Sequence, residues 1–127
     1  MNNKKKMLIV EDDTDLLKMY TVVFSGSEFE TTGISSPQEA IESVKVNKYD
    51  AILLDLMYPG GDNLQTIRLI RSEQSLNKDT PIIILTNLNA GDKTKKSLEY
   101  GANECLFKAK YTPKTLLSEV TNILKTV

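Results

Sequence analysis

Six side chains that could take part in chemistry stand at the ends of short apolar runs: Glu11, Asp12, Asp13, Asp55, Thr86 and Lys108. Carboxylates brought close together repel one another, and such a cluster is costly without a cation. A divalent cation with oxygen ligands removes that cost, and a site with few carboxylates and open water positions suits Mg²⁺ better than Ca²⁺. Asp55 could then attack phosphorus and form an acyl phosphate, with Lys108 and Thr86 holding the transferred group. These residue types therefore predict phosphoryl transfer to Asp55 at a Mg²⁺ site.

The elements that would position these side chains can be predicted from the apolar pattern. Short apolar runs at residues 7–10, 29–34, 51–54, 82–85 and 105–107 alternate with stretches of helical spacing. Ser36 and Thr112 each precede a proline, a pair that is typical of a helix start. Asp62 is a further predicted N-cap, and Asp13 is predicted either to cap a helix or to lie in solvent. The pattern predicts an α/β fold of the (βα)5 type, a doubly wound five-stranded parallel sheet covered on both faces. The carboxyl ends of its strands meet at one edge, where ligands bind in such sheets.

Composition limits the classes of function. The 127 residues are enough for one domain, predicted to span residues 1–127 and to leave no room for an output domain. The absence of histidine excludes Ser-His-Asp catalysis, histidine-ligated metal sites and a phosphohistidine on this chain. The single cysteine, Cys105, excludes an internal disulfide and a CxxC motif. A formal charge of −1 gives no indication of nucleic-acid binding, and no apolar run could span a membrane, so we predict a cytoplasmic protein.

Four segments in order along the chain carry a resemblance to a known family: Leu8–Asp13, Asp55–Asn63, Ile82–Thr86 and Gly101–Lys108. Together they resemble the receiver domain of two-component response regulators, whose phosphoacceptor segment usually reads D-L-x-x-P-x-x-D-G. The resemblance covers nearly the whole chain. It implies a single receiver domain with a flavodoxin-like strand order of 2-1-3-4-5.

The resemblance also implies roles for the residues at the strand ends. Asp55 would accept a phosphoryl group from a phosphohistidine on a separate histidine kinase or phosphotransfer protein. Mg²⁺ would be bound by Asp12, by Asp55 and by the backbone carbonyl of Met57, with Glu11 acting through water. Thr86 and Lys108 would contact the phosphoryl oxygens. The domain would assist its own phosphorylation and dephosphorylation, with no separate substrate turnover.

A signalling surface and an oligomeric state follow from the same resemblance. The face made by the fourth helix, the fifth strand and the fifth helix would contact a downstream protein, and the chain would be a monomer or a dimer promoted by phosphorylation. We expect the fourth helix to be the element that moves, because Leu98 and Tyr100 are its main apolar anchors. Its run of Lys93, Lys95 and Lys96 is interpreted as a solvated face rather than a surface for an acidic partner.

The chain departs from the usual family pattern at four positions: Asn63, Asn87, Cys105 and Ala109. Ala109 replaces a proline that usually follows a cis bond, so we expect a trans bond after Lys108. Cys105 occupies the position of the usual aromatic switch residue. Asn63 replaces glycine, which we interpret as tolerance of unusual backbone angles. Because Met57 and Leu88 are apolar and cannot orient a water by hydrogen bonding, we expect slow self-dephosphorylation.

Two alternative functions remain open from the sequence. The first is a phosphorylation-independent pseudo-receiver, which would keep the fold as a protein-interaction module. The departures at Asn87, Cys105 and Ala109 support this possibility. The second is a flavodoxin-like electron carrier, which needs a phosphate-binding loop after the first strand. Three carboxylates at that position would repel a flavin phosphate.

Overall fold

A five-stranded parallel sheet forms the centre of the protein in a computed structural model that describes residues 4–87 and 91–127. Its strands, labelled in chain order, are β1 (Lys5–Val10), β2 (Phe29–Ile34), β3 (Ala51–Asp55), β4 (Ile82–Thr86) and β5 (Glu104–Phe107). They lie in the order β2-β1-β3-β4-β5, and every neighbouring pair is parallel. The predicted fold and strand order are therefore confirmed.

Among the described residues, five α-helices cover the two faces of the sheet: α1 (Thr14–Ser25), α2 (Pro37–Val46), α3 (Leu64–Arg71), α4 (Asp92–Glu99) and α5 (Pro113–Leu124). Helices α1 and α5 share one apolar cluster with the sheet, and α2 and α3 share the other. Within the part of the chain that the structure describes, no helix has the length and apolar character needed to cross a membrane.

The two apolar clusters follow from the alternation of side chains along the strands. In β1, Met7 and Ile9 face α1 and α5, whereas Leu8 and Val10 face α2 and α3. Successive side chains of a strand point to opposite faces, so a strand covered on both sides must be apolar throughout. The continuous apolar runs of β3 and β4 meet the same requirement, and every residue of these two strands is buried.

Most of the predicted helix starts are confirmed. The exposed Asp13 carboxylate accepts the Leu16 amide at the start of α1, and Ser36 accepts the Glu39 amide at the start of α2. Thr112 forms a reciprocal capping box at the start of α5. The predicted N-cap Asp62 lies one residue before the capping position, because α3 begins at Leu64, but its carboxylate still accepts the Leu64 amide at 3.0 Å.

Helix α4 buries few of its side chains. Its only buried residue is Ser97, whereas Leu98 is 45% exposed, so the prediction that Leu98 anchors this helix was wrong. Tyr100, directly after the helix, does pack against the core. At the first turn, Lys93 forms an ion pair of 2.9 Å with Asp62 in the loop before α3. With one buried residue, α4 keeps little apolar area away from water.

The turn after α4 requires a glycine. Gly101 has a φ of +123°, and a Cβ atom placed there would lie 2.7 Å from Cγ of Arg71. The Arg71 guanidinium donates to the carbonyl oxygens of Gly101 and Thr80 at 2.9 and 2.7 Å. This arginine therefore ties the C-terminal end of α3 to the turn that enters β5.

Candidate functional site

Four of the five side chains predicted for the site meet at the carboxyl edge of the sheet. Glu11 and Asp12 follow β1, Asp55 ends β3 and Lys108 follows β5, whose neighbour is β4. The Lys108 ammonium lies 3.0 Å from both carboxylate oxygens of Glu11 and 3.0 Å from Oδ2 of Asp55. Glu11 and Asp55 are 1% and 4% exposed. Lys108 thus forms ion pairs with two buried acids from a strand two positions away from β3.

The acid cluster has the donor set expected of a metal site. One carboxylate oxygen each from Glu11, Asp12 and Asp55 lies within 4.8 Å of the others. Three ionised carboxylates beside one ammonium would leave an excess of negative charge at this edge of the sheet. Oxygen donors at such spacing fit a hard divalent cation that keeps part of its water shell. The residues present therefore fit a Mg²⁺ ion.

Burial and mutual repulsion alter the acid–base behaviour of the cluster. Desolvation, followed by the neighbouring Glu11 carboxylate, raises the pKa of Asp55 from 3.8 to about 7, although Lys108 opposes the shift. Desolvation and the nearby Asp55 also raise the pKa of Asp12. Burial alone would lower the pKa of Lys108, but the Asp55 and Glu11 carboxylates outweigh it and raise the pKa. A carboxyl with a strongly raised pKa in an open cavity is typical of a functional site.

A cavity of about 400 Å³ gives access to the acids. Its lining combines the acid cluster with the start of α1 and the loop after β3: Glu11, Asp12, Asp13, Leu16, Asp55, Met57, Tyr58, Pro59, Asn87 and Lys108. Thr86 is completely buried and does not line this cavity; its hydroxyl donates to the carbonyl oxygen of Asn87 at 3.1 Å. The structure therefore brings Asn87 to the cavity wall and leaves the Thr86 hydroxyl behind it.

The backbone after Lys108 keeps this side chain in the site although alanine replaces the usual proline. All peptide bonds among the described residues are trans, as predicted for the bond to Ala109. A short 3-10 turn, Lys108–Lys110, begins at this lysine and leads to Tyr111, whose amide donates to the Lys108 carbonyl oxygen at 3.2 Å. The turn keeps the ammonium within hydrogen-bonding distance of both acids, so the alanine does not displace it.

Two other expectations concern positions beside the site. Cys105 is half-buried, and burial raises the pKa of its thiol. Met57 lines the cavity, where its thioether offers a water only a weak hydrogen-bond acceptor. Leu88, the second apolar position in the dephosphorylation hypothesis, lies outside the described residues.

The loop between β3 and α3 contains a short ribbon and a buried asparagine that sequence reasoning missed. Met57–Tyr58 pairs antiparallel with Gly61–Asp62, and the ribbon forms one wall of the cavity. The next residue, Asn63, donates from Nδ2 to the backbone carbonyl oxygen of Asp55 at 2.7 Å. Its φ is −101°, so tolerance of unusual backbone angles does not explain why asparagine stands there. A polar residue directly before a helix suggests capping, and the sequence gives no direct sign of the strand-end contact.

Comparisons with known proteins agree with this site. A family model of the response regulator receiver domain matches residues 7–121. The DNA-binding response regulator MtrA of Mycobacterium tuberculosis (strain ATCC 25618 / H37Rv) is 32% identical over 117 residues, covering 92% of this chain and 49% of MtrA. The phosphate regulon transcriptional regulatory protein PhoB of Escherichia coli (strain K12) is 27% identical over 123 residues, covering 97% of this chain and 53% of PhoB. The chain thus spans about half the length of these curated relatives.

A solved structure supports the same assignment. The receiver domain of the sensor histidine kinase PA1611 from Pseudomonas aeruginosa PAO1 has a TM-score of 0.79 and 27% identity to this chain. The alignment covers 97% of this chain and 99% of that domain, which holds a magnesium ion in its active site cleft. The family model, the fold and the acid cluster at the carboxyl edge agree with one another, and the resemblance found in the sequence is confirmed. The chain belongs to the response regulator receiver domain family.

Proposed function

We propose that Asp55 accepts a phosphoryl group from a phosphohistidine on a separate histidine kinase or phosphotransfer protein. The observation that carries this proposal is the position of Asp55, which is 4% exposed at the end of β3, lines an open cavity and contacts Lys108 at 3.0 Å. Residues 1–127 contain no histidine, so the donor phosphohistidine lies outside this sequence.

The transfer requires Asp55 in its ionised form. A carboxylate oxygen of Asp55 forms a bond to phosphorus while the bond between phosphorus and the donor imidazole nitrogen breaks, and that nitrogen keeps the electron pair. Lys108 offsets the negative charge that gathers at Asp55 and the phosphoryl oxygens. Transfer of this kind depends mainly on positioning and charge neutralisation, which the buried ion pairs supply.

Mg²⁺ would be bound on the open side of the cluster. Asp12, Asp55 and the backbone carbonyl of Met57 would bind it directly, and Glu11, whose two oxygens already accept from Lys108, would act through water. When bound, the cation neutralises phosphoryl oxygens and favours the ionised form of Asp55. The raised pKa of Asp55, about 7, supports a need for such a cation near neutral pH.

Thr86 would act as the element that detects the phosphoryl group. Its hydroxyl donates to the carbonyl oxygen of Asn87 at 3.1 Å, so contact with a phosphoryl oxygen would require it to exchange that bond for a new one. Asn87 already lines the cavity and would have to give way or donate its own amide. Breaking the Thr86–Asn87 hydrogen bond would free the backbone at the end of β4, so the loop that leads to α4 would respond to phosphorylation.

The signal would leave through the face formed by α4, β5 and α5. This is supported by the weak apolar attachment of α4, in which Ser97 is the one buried residue. We propose that residues 1–127 act as one receiver unit in the cytoplasm, as a monomer or a phosphorylation-promoted dimer. The unit would assist its own phosphorylation and dephosphorylation without turning over a separate substrate.

Incubation with acetyl phosphate and Mg²⁺, followed by intact mass measurement, tests the proposal. The wild-type chain should gain the mass of one phosphoryl group, and Asp55→Asn should gain none. Asp13→Asn is the matched control, because Asp13 lines the same cavity but is exposed and caps α1; this variant should be labelled like the wild type. A wild-type chain that gains no mass would instead support the phosphorylation-independent interaction module.

A further inference from the structure

Asn63 holds the end of β3 through two hydrogen bonds. Its side-chain amide donates from Nδ2 to the carbonyl oxygen of Asp55 at 2.7 Å, and its backbone amide donates to the carbonyl oxygen of Leu56 at 2.9 Å. Asn63 itself is 2% exposed. Two consecutive carbonyl groups directly after the phosphoacceptor side chain are therefore fixed by one buried residue.

A second side chain orients the Asn63 amide. The hydroxyl of Thr66, which is 4% exposed, donates to Oδ1 of Asn63 at 3.0 Å. With Oδ1 occupied in this way, Nδ2 is directed at the Asp55 carbonyl oxygen. An aspartate at this position would place an acceptor against that carbonyl oxygen, so the site is specific for the amide.

The side chain of Asn63 is available for this contact because its neighbour takes over the capping of α3. Asn63 occupies the capping position but makes no capping hydrogen bond, whereas Oδ1 of Asp62 accepts the Leu64 amide at 3.0 Å. The other oxygen of Asp62 pairs with Lys93 at 2.9 Å. The two adjacent residues thus contact different elements. Asp62 binds the first amide of α3 and a lysine of α4, whereas Asn63 binds the backbone at the end of β3.

We propose that Asn63 is a positioning residue that sets the Mg²⁺ affinity of the site, an inference that rests on the proposed function. The peptide groups that it fixes lie between the Asp55 side chain and the carbonyl group of Met57, two of the proposed metal ligands. The spacing of those ligands therefore depends on the hydrogen bonds of Asn63. Residues that orient metal ligands through hydrogen bonds change affinity by roughly 10- to 100-fold when they are removed.

Calorimetric titration of the full chain with MgCl₂ tests this role. Asn63→Ala should raise the dissociation constant for Mg²⁺ by about tenfold. Thr66→Val, which removes the orienting hydroxyl, should raise it in the same direction, and Thr66→Ser should restore the wild-type value because serine keeps the hydroxyl. The comparison of Thr66→Val with Thr66→Ser still tests the role of the Asn63 amide if Asn63→Ala does not fold.

Asn77 supplies the matched control, because it is a fully buried asparagine at the opposite edge of the sheet. Its side chain donates to the carbonyl oxygens of Val44 and Asn47 at 2.9 and 2.8 Å and accepts the Tyr49 amide at 2.8 Å. Asn77→Ala should therefore lower the unfolding midpoint in urea without changing the Mg²⁺ affinity of the folded protein. Asn63→Ala should change both.

The outcomes separate the inference from the proposed function. If the wild-type chain binds Mg²⁺ and both Asn63→Ala and Thr66→Val bind it equally well, Asn63 has only a structural role and the inference is wrong while the proposed function stands. Equal weakening by Asn77→Ala would likewise overturn the inference, since it would attribute the effect to general loss of stability. If the wild-type chain itself does not bind Mg²⁺, the proposed function fails first.

Discussion

Replacing Asp55 by asparagine is expected to stabilise the metal-free protein at pH 8. Asp55 is 4% exposed, and its pKa is raised from 3.8 to about 7, so the carboxyl is ionised at pH 8 in a setting that favours its neutral form. Each pKa unit corresponds to about 1.4 kcal/mol, which gives a cost of about 4 kcal/mol for the ionised group. Asparagine has the same shape and no charge. We expect the free energy of unfolding to rise by most of this cost, about 3 kcal/mol, because the pKa of about 7 already includes the favourable contact with Lys108.

The pH dependence of this gain has a definite sign. Between pH 3.8 and about 7, the folded protein keeps a proton on Asp55 that the unfolded chain has lost. Raising the pH through this window therefore favours unfolding and lowers the stability of the wild-type chain. The advantage of Asp55→Asn should be largest at pH 8 and should shrink steadily as the pH falls towards 4.

Urea unfolding in the presence of a chelator, repeated between pH 5 and pH 8, measures this difference. A gain of about 3 kcal/mol corresponds to a rise in melting temperature of about 10 °C for a chain of this size. Asp13→Asn is the control, because aspartate and asparagine cap helices about equally well and this variant should show no such gain. The reasoning is refuted if Asp55→Asn is no more stable than the wild type at pH 8, or if its advantage grows as the pH falls.

The remaining predictions concern the ion pairs, a turn and the phosphorylated state. Lys108→Met should lower the free energy of unfolding of the metal-free protein at pH 8 by about 3 kcal/mol, because two buried acids lose their cation, and added Mg²⁺ should recover part of the loss in a urea titration. Gly101→Ala should cost about 1–3 kcal/mol, since φ is +123° and the new Cβ meets Arg71; Gly26→Ala, with Cβ contacts of 3.6 Å, should cost less than 1 kcal/mol. Met57→Asn should shorten the lifetime of the phosphorylated chain in a phosphate-release assay, because the amide can orient a water that the thioether cannot, and a longer lifetime would contradict this explanation.

The sequence predicted the fold well where burial leaves little choice. Every residue of β3 and β4 is buried, and strands covered on both faces account for apolar runs of that kind. Helix α4 shows the limit of the same reasoning. Leu98 was expected to anchor it, yet this side chain is exposed and the small Ser97 faces the interior. A polar helix with few apolar residues gives periodicity too weak to identify its inner face.

The site was predictable because its residues stand at strand ends. The meeting of Glu11, Asp55 and Lys108 follows from parallel strands whose carboxyl ends share one edge. The details depend on side-chain directions that spacing does not fix. The Thr86 hydroxyl, for example, donates to the Asn87 carbonyl oxygen, and its contact with a phosphoryl oxygen stays a prediction. The hydrogen bond from Asn63 to the Asp55 carbonyl oxygen could not be predicted from spacing either, because it depends on the path of the loop between β3 and α3.

Identification of the modified residue tests the central claim most directly. After treatment with acetyl phosphate, reduction by borohydride converts an aspartyl phosphate to homoserine, which peptide mass spectrometry locates in the chain. The account predicts homoserine at position 55 when Mg²⁺ is present and a much lower yield with a chelator. Homoserine at another position, or an equal yield at position 55 without Mg²⁺, would contradict it.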